Sequence, residues 1–351
     1  MKKSVIGILL ILVMFTTICC GCGRTKSEEV KESIKIGITM YDEFDPFTNL
    51  IADNIQSTLK ELEGEQGITV TCETVFSSKS QLLQNDQVES FINRGFDVIC
   101  VNLVDRTDAM LIIDKAKSAN IPIIFFNREL VQDDLERWDK LYYVGAIPEL
   151  SGKLQAELVT DALSNPERFR EIDFNHDGVI QYVVLEGEAG HQDALIRTKE
   201  SFEGIRQAGF KVEKLGDEIA NWNREQAETK MSSILDGYPW QIELVLANDD
   251  NMALGALDAL EKYNVPKLPL IIGVNGHKEA LEKIQKGQIE GTVYNNGYAK
   301  GRDIGKMAFS LAVTGEIPRE IYLYNGKYHF VPYEKINASN VDNYIDKSVD
   351  K

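Results

Sequence analysis

The stretch from Asp173 to Arg197 holds the residues whose types and spacing are best suited to chemistry. Its first half matches positions 1, 3, 5, 6 and 9 of a calcium-binding loop with Asp173, Asn175, Asp177, Gly178 and Gln181. Hard cations prefer such oxygens, and the glycine permits the sharp bend of the loop. Position 12, where an EF-hand loop has a bidentate Glu, is Val184. The match is therefore either a coincidence or a site whose last carboxylate comes from elsewhere in the chain.

The second half of the stretch carries His191, Asp193 and Arg197 just after a predicted strand. His191 could be a general base, a metal ligand or a hydrogen-bond donor to a ligand. A zinc site is not indicated, because the chain has 4 histidines without metal-ligand spacing. No Ser-His-Asp, Cys-His or P-loop pattern is present, and Gly187–Gly190 lacks the Lys-Ser/Thr that phosphate binding requires. We therefore predict that the protein is not an enzyme.

The elements that must position these residues alternate between strand and helix from Ser33 onward. Short apolar runs such as Asp97–Leu103 lie between amphipathic helices such as Thr48–Leu62, which is typical of a parallel sheet covered on both faces. The alternation of strands and helices is interrupted after a predicted strand at Ile121–Phe126 and starts again with a strand at Leu141–Val144. The pattern predicts an α/β protein with two doubly wound, Rossmann-like lobes and a cleft between them.

Polar residues follow nearly every predicted strand, at the sheet edge where doubly wound folds bind ligands. They are Asp45, Asn102, Asn127, Gly187–Asp193, Asn248–Asp250, Asn275 and Asn295. Carboxylates accept hydrogen bonds from hydroxyls, Arg donates them and Asn does both, so the set suits a neutral polyol. At any single position a helix cap is the more common role of Asp or Asn. Their accumulation around one cleft favours a binding site.

The flat faces of Trp and Phe suit the apolar faces of a sugar ring. A lone Trp is more often part of a core, but Trp222 stands between Asn221 and Asn223. That polar setting favours a ring presented at a surface or in a cleft.

Composition and the N-terminus restrict the class of protein further. The formal charge is -17 without a Lys/Arg cluster, which argues against nucleic acid as a partner. Lys2 and Lys3 precede the apolar run Val5–Ile18, and Cys22 follows in a Cys/Gly-rich segment. This resembles a bacterial lipoprotein signal, with residues 1–21 removed, Cys22 lipidated and residues 22–33 as a tether. An uncleaved membrane anchor is the alternative.

Cys72 and Cys100 lie on the second and third predicted strands. In a sheet of order 2-1-3 they stand two strand spacings apart, about 10 Å, beyond the roughly 7 Å limit for a disulfide. We predict free, buried thiols.

From about Ile34 to Tyr333 the chain resembles the bacterial glucose/galactose-binding proteins of sugar transporters, which have the two-lobed type I fold. The matching segments are Tyr41–Phe47, Val101–Asp105, Phe125–Asn127, Tyr142–Gly145, Asp173–Arg197, Ala220–Trp222 and Gly291–Val293. The calcium loop and the Gly-His-x-Asp-x-x-x-Arg turn occur in the same order and spacing, which makes the resemblance specific.

The resemblance implies a role for each matching residue. Hydroxyl groups of the sugar would bind Asp45, Asn102, His191, Asp193, Arg197 and Asn295. Phe47 and Trp222 would hold the ring between them. Two positions depart from the family pattern, because Asp249 stands where the family has Asn and Asn275 where it has Asp. The exchange leaves the site in place and redistributes the donors and acceptors that decide the sugar preference.

The resemblance also supplies the missing carboxylate of the calcium loop. In this family a Glu on a later strand completes the coordination, and Glu243 occupies that place. A Glu that opens an apolar strand needs a partner, because a buried charge is costly unless it is paired. Val179 would contribute its backbone carbonyl. We predict a structural calcium ion.

These observations together predict a lipid-anchored, extracytoplasmic monomer that captures glucose, galactose or a close relative and delivers it to an ABC permease. The first lobe would comprise residues 34–127 and 295–328, and the second 128–294 and 329–351, with hinge crossings near Asn127, Asn295 and Tyr328. A protein that presents the sugar to a chemoreceptor or sensor kinase is an alternative. A sugar-responsive transcription regulator is disfavoured, because a lipoprotein signal stands where a DNA-binding helix-turn-helix would be.

Overall fold

The computed structural model describes residues 31–345, so the predicted signal peptide and the lipidation site Cys22 lie outside the described residues. The described chain forms two six-stranded sheets. The first contains β1 (Ser33–Met40), β2 (Thr69–Phe76), β3 (Val98–Val101), β4 (Ile123–Phe126), β5 (Leu141–Gly145) and β11 (Tyr328–Phe330). The second contains β6 (Ile180–Glu186), β7 (Val212–Ile219), β8 (Leu244–Ala247), β9 (Leu270–Asn275), β10 (Gly291–Asn295) and β12 (Tyr333–Asn337).

The strand order is β11-β5-β4-β3-β1-β2 in the first sheet and β12-β10-β9-β8-β6-β7 in the second. All pairs are parallel except β10 with β12. Each crossover needs a helix, and each helix covers one face of a sheet. The longer helices are α1 (Pro46–Gln66), α2 (Gln81–Asn93), α3 (Met110–Ala119), α5 (Pro148–Leu163), α7 (Gln192–Gln207), α8 (Arg224–Gly237), α9 (Asp250–Lys262), α10 (Lys278–Gln285) and α11 (Gly297–Thr314). The shorter ones are α4 (Gln132–Leu135), α6 (Pro166–Ile172) and α12 (Asp342–Ile345).

Each lobe has apolar cores on the faces of its sheet. The central strands β3, β4 and β8 are buried at every position, which explains why they are short continuous apolar runs instead of alternating ones. The predicted fold class of two doubly wound lobes is confirmed.

The predicted lobe boundaries are wrong at two points. β5 was expected to open the second lobe, but Leu141 pairs with Ile123 of β4, so the strand belongs to the first sheet. The chain therefore crosses between the sheets after Gly145 and not near Asn127. β11 pairs with β5, so the last crossing lies between Phe330 and Tyr333, a few residues later than expected. Alternation of strand and helix does not reveal the sheet that a strand joins, because its pairing partner decides that.

The crossing expected at Asn295 agrees with the structure. β10 ends there in the second sheet, and α11 then packs against α1 of the first lobe. These two helices lie close together, because a Cβ on Gly301 would stand only 2.5 Å from the carbonyl oxygen of Ile51. The close packing brings Lys300 of α11 to within 5.4 Å of the ring centre of Phe47 on α1.

Cys72 and Cys100 lie on the two strands that flank β1, as the predicted strand order requires, and both are free thiols. Cys100 is buried, whereas Cys72 is only half-buried. Burial raises the pKa of Cys72 to about 12 and also raises that of Cys100. Both thiols are therefore protonated and unreactive at neutral pH.

Within residues 31–345, no helix combines the length and the apolar character needed to cross a bilayer.

Candidate functional site

A polar cavity lies between the two lobes, at the carboxyl ends of strands from both sheets. It is lined by Asp45, Phe47, Asn127, Arg128, His191, Asp193, Arg197, Trp222, Asp249, Asn275 and Asn295. The cavity volume is about 40 Å³, so the closed lobes leave only a narrow space between these side chains. All predicted ligands except Asn102 are brought together here.

Asp45 serves both as a helix cap and as a cavity residue. Its Oδ1 accepts hydrogen bonds from the backbone N–H groups of Phe47 (2.9 Å) and Thr48 (3.2 Å), which fixes the start of α1. Its Oδ2 accepts from the hydroxyl of Tyr41 at 2.8 Å. The two roles weighed from the sequence are therefore compatible, because the cap holds the carboxylate at the edge of the cavity.

Asn102 is fully buried and does not line the cavity. Its Nδ2 donates to the carbonyl of Phe126 at 3.1 Å, while its Oδ1 has no partner among the described residues. Its predicted contact with a ligand hydroxyl stays a prediction that this geometry does not support directly.

The N-terminal part of α7, from its cap His191 to Arg197, supplies a neutral imidazole and two charged groups. Burial, with Arg128 and Arg197 nearby, lowers the pKa of His191 well below its usual value, so the ring is uncharged at neutral pH. Its Nδ1 has no partner within residues 31–345. Burial raises the pKa of Asp193, although Arg197 and Lys300 oppose that shift. A neutral imidazole can donate from one nitrogen and accept at the other, which suits a hydroxyl ligand.

Arg197 is held rigidly by the second lobe. It is 4% exposed, its Nε donates to Ser151 Oγ at 2.8 Å, and its Nη1 donates to the carbonyl of Asn248. A guanidinium has five N–H donors, so others remain to face the cavity. Because the group is already fixed by the protein, little side-chain entropy is lost when it binds a ligand.

Trp222 adopts a left-handed backbone conformation, with φ of 60°. Its ring lies against Gly187, where a Cβ would stand 2.0 Å from Cζ2 of the indole, so this contact requires glycine. The ring of His191 meets the indole edge-on, with centroids 5.1 Å apart. Trp222 is thus a flat, supported surface in the second lobe, and Phe47 faces the cavity from the first.

Asp249 caps α9 by accepting from the backbone N–H of Met252 at 2.9 Å. It is 3% exposed, and burial together with the nearby Asp250 and Asp45 raises its pKa well above the usual value. The exchanged partner position, Asn275, accepts at its Oδ1 from Asn295 Nδ2 at 3.1 Å. Both exchanged residues line the cavity, so the exchange affects the ligand site itself.

Three functional residues were not predicted from the sequence. Asn127 had been noted only as a strand-end residue, and Arg128 carried no signal of its own. Lys300 is 2% exposed beneath the cavity, where its Nζ donates to Asn295 Oδ1 at 2.6 Å. Helical spacing could have found it, because Lys300, Ile304 and Leu311 share the buried face of α11.

The lobes are joined across the cleft by ion pairs that meet at one carboxylate. Glu188 of the second lobe lies 3.0 Å from Lys79 Nζ and 2.6 Å from Arg128 Nη2, both of the first lobe. The guanidinium of Arg128 also lies 3.7 Å from the ring centre of Tyr41. Burial alone would raise the pKa of Glu188, but Arg128 and Lys79 lower it overall. These contacts hold the lobes in a closed arrangement.

The predicted calcium loop brings its oxygen-bearing side chains together. Glu243 reaches both ends of the loop, accepting from the backbone N–H of Phe174 and, at 3.0 Å, from that of Gln181. Asp173 accepts from the backbone N–H groups of Asp177 (3.1 Å) and Gly178 (3.0 Å). Within residues 31–345, no three acidic, His or Cys side chains are close enough together to form a metal site by themselves. Asn175, Gln181 and a backbone carbonyl would have to supply the remaining oxygens.

Two lobes that enclose a small polar cavity, joined by three chain crossings, define a class of protein that closes around a solute. The chain belongs to the periplasmic binding protein family, whose "Periplasmic binding protein domain" matches residues 36–316. It is therefore an extracytoplasmic solute-binding protein and not an enzyme.

The similar proteins agree with this assignment. The chain is 35% identical over 315 residues to the D-galactose/methyl-galactoside binding periplasmic protein MglB of Haemophilus influenzae, covering 89% of this chain and 92% of that protein. It is 25% identical to the ribose import binding protein RbsB of Bacillus subtilis, covering 84% and 88%. A solute-binding protein of Bacillus halodurans, solved with myo-inositol, is 26% identical with a TM-score of 0.75, covering 91% and 99%.

Proposed function

We propose that the protein captures a glucose- or galactose-type monosaccharide between its lobes and delivers it to an ABC permease. One observation carries the proposal. Of the residues expected to bind the sugar, nine line a single cavity, namely Asp45, Phe47, His191, Asp193, Arg197, Trp222, Asp249, Asn275 and Asn295. Carboxylates, amides and one guanidinium match ring hydroxyls, and the two aromatic rings match the apolar faces of the sugar.

The proteins named in the comparison bind galactosides, ribose or myo-inositol according to their names, all of which are compact polyols. The sugar with the highest affinity is therefore the first quantity to measure. Calorimetry of the purified protein with a panel of aldohexoses, pentoses and inositols tests the proposal. We expect binding of glucose or galactose to be the tightest. No binding of any aldohexose or pentose would contradict the proposed function.

Delivery to a permease and presentation to a sensor use the same bound sugar. We propose delivery because the solute-binding proteins to which this chain is similar include an import protein by name. Deleting the gene and measuring uptake of the sugar distinguishes the two. Undiminished uptake with a lost signalling response would favour the sensor.

We further propose that Cys22 carries the lipid that anchors the protein outside the membrane. A stable anchor requires more than one acyl chain. We expect the Cys22→Ser variant to leave the membrane fraction and to be recovered in soluble form, as judged by fractionation and immunoblotting. Retention of the variant in the membrane at the parent level would instead favour an uncleaved anchor.

We propose that the loop from Asp173 to Gln181, completed by Glu243, holds a structural calcium ion. Two buried carboxylates support this: Asp173 is 4% exposed and Glu243 is 1% exposed. Both accept hydrogen bonds from backbone N–H groups of the loop, and burial together with the nearby Asp173 raises the pKa of Glu243. A divalent cation would supply the missing positive charge. The amides of Asn175 and Gln181 now donate to Asp177, so their oxygens would have to turn toward the ion.

We expect removal of calcium to lower the melting temperature of the protein. A ligand at a hundredfold excess over its Kd stabilises the folded state by about 2.7 kcal/mol. Differential scanning calorimetry with excess calcium and with a chelator measures the shift. The Glu243→Gln variant serves as the control, because it should melt at the same temperature in both conditions. Equal melting temperatures of the parent protein in both conditions would contradict the calcium site.

A further inference from the structure

Lys300 is a buried cation that the sugar-binding proposal does not use. It is 2% exposed and lies at the junction of the lobes, with Nζ 5.4 Å from the ring centre of Phe47 and 5.9 Å from that of Tyr333. Asp193 is the nearby anion and Arg197 the nearby cation. Burial of an ammonium is costly, and the hydrogen bond that Nζ donates to Asn295 Oδ1 offsets part of that cost.

The chemistry of the ammonium fixes the orientation of the amide beside it. In its ammonium form, Lys has N–H donors and no acceptor. The atom of Asn295 that lies 2.6 Å from Nζ must therefore be its oxygen. The amide nitrogen of Asn295 then points away from Lys300, toward Asn275. This orientation follows from the bonding chemistry of the ammonium and the amide.

The orientation of the Asn295 amide determines which atom of Asn275 it contacts. Asn295 Nδ2 donates to Asn275 Oδ1 at 3.1 Å, so the oxygen of Asn275 is used as well. Asn275 Nδ2 has no hydrogen-bond partner recorded among residues 31–345 and belongs to a residue that lines the cavity. Asn275 and Asn295, which we call the amide pair, thus have both oxygens occupied and N–H groups left for a ligand.

We propose that Lys300 is a positioning residue that makes the amide pair a donor-only part of the binding site, which selects a ligand oxygen that accepts hydrogen bonds. The carboxylates Asp45 and Asp193 line the same cavity and can accept hydrogen bonds. The site is thus divided by polarity, and one ring hydroxyl acts as acceptor while others donate. Donation from position 275 to the ligand requires Asn, because an Asp side chain there would offer no N–H group. This inference rests on the proposed sugar-binding function.

Deoxy and fluoro analogues of the bound sugar test this division. Fluorine accepts a hydrogen bond and cannot donate one. At the ring position that faces the amide pair, the fluoro sugar should bind about fivefold more tightly than the deoxy sugar, the value of one neutral hydrogen bond. At positions that face carboxylates, fluorine should give no such gain. Calorimetry is done at pH 6, because burial lowers the pKa of Lys300 to about 7 and the ammonium then predominates.

In the Lys300→Met variant, the fluoro and the deoxy sugar should bind with about equal affinity at that position. The reason is that no ammonium then fixes the orientation of the two amide groups. Lys306→Met, on the same helix and outside the cavity, is the matched control and should keep the parent ratio. Asn275→Asp should also abolish the preference for fluorine. A parent protein that shows no preference for fluorine at any ring position overturns the inference, as does a ratio unchanged in Lys300→Met.

Neutron diffraction of the ligand-free protein gives a test that needs no ligand and no variant. It should locate deuterons on the Asn295 atom that faces Asn275 and on the Asn275 atom that faces the cavity. An oxygen at either place overturns the inference. Failure of every sugar to bind would instead refute the proposed function, while this measurement would still decide the amide orientation.

Discussion

The Asp193→Asn variant is expected to bind the sugar about 10- to 100-fold more weakly than the parent protein, because a hydrogen bond to a charged group contributes about 1.5–3 kcal/mol. Asp193 lines the cavity beside Arg197 and Lys300, whose charges oppose the effect of burial on its pKa. The amide keeps the shape of the carboxylate but cannot accept at both of its terminal atoms. Calorimetry with the preferred sugar measures the change.

Asp53→Asn is the control for this substitution, since Asp53 is exposed on α1 and does not line the cavity. It should retain the affinity of the parent protein. Circular dichroism and melting temperature show whether either variant has lost its fold. An affinity of Asp193→Asn within threefold of the parent value, well below the effect of a charged hydrogen bond, would exclude Asp193 as a ligand.

The Trp222→Ala variant is expected to lose about 30-fold or more in affinity. Buried Trp residues at binding sites commonly contribute 2 kcal/mol or more when truncated. The indole also supports His191, whose ring lies edge-on against it at 5.1 Å, so its removal should loosen a second ligand. The loss should be similar for every sugar of the panel, because a flat apolar contact does not distinguish the orientation of a hydroxyl.

Trp240→Ala is a closely matched control for Trp222→Ala. Both residues have a left-handed backbone, with φ of 66° at Trp240 and 60° at Trp222, so the strain of placing Ala there is comparable. Trp240 is 53% exposed and does not line the cavity. If the two variants lose the same affinity, the effect is one of backbone strain or stability, and the stacking role of Trp222 is wrong.

Periodicity in the sequence was sufficient to predict the fold class, but it did not show which of the two sheets each strand joins. Leu141–Gly145 has the apolar pattern of a parallel strand, and that pattern would be the same in either sheet. The short edge strand Tyr333–Asn337 has no clear strand pattern in the sequence, because Glu334 and Lys335 interrupt its apolar residues. Charged residues are common on edge strands, which need only one covered face.

The site was predictable where polar residues directly follow strands. Asp249 and Asn275 stand at the carboxyl ends of β8 and β9, where topology brings them together. Arg128 was not predictable, because its role depends on Glu188, which lies 60 residues away in the other lobe. Asn102 also follows a strand, but its Nδ2 donates to the carbonyl of Phe126, so its contact with a ligand hydroxyl stays a prediction.

Because β11 belongs to the first sheet, the order in which the two lobes can fold during synthesis is restricted. The first sheet is complete only when residues 328–330 pair with β5, and the α1 face of that lobe is covered only when α11 has been made. The first lobe therefore depends on segments that follow five of the six strands of the second sheet in the chain. A nascent chain of this kind remains without its complete first lobe until most of the second lobe has been synthesised.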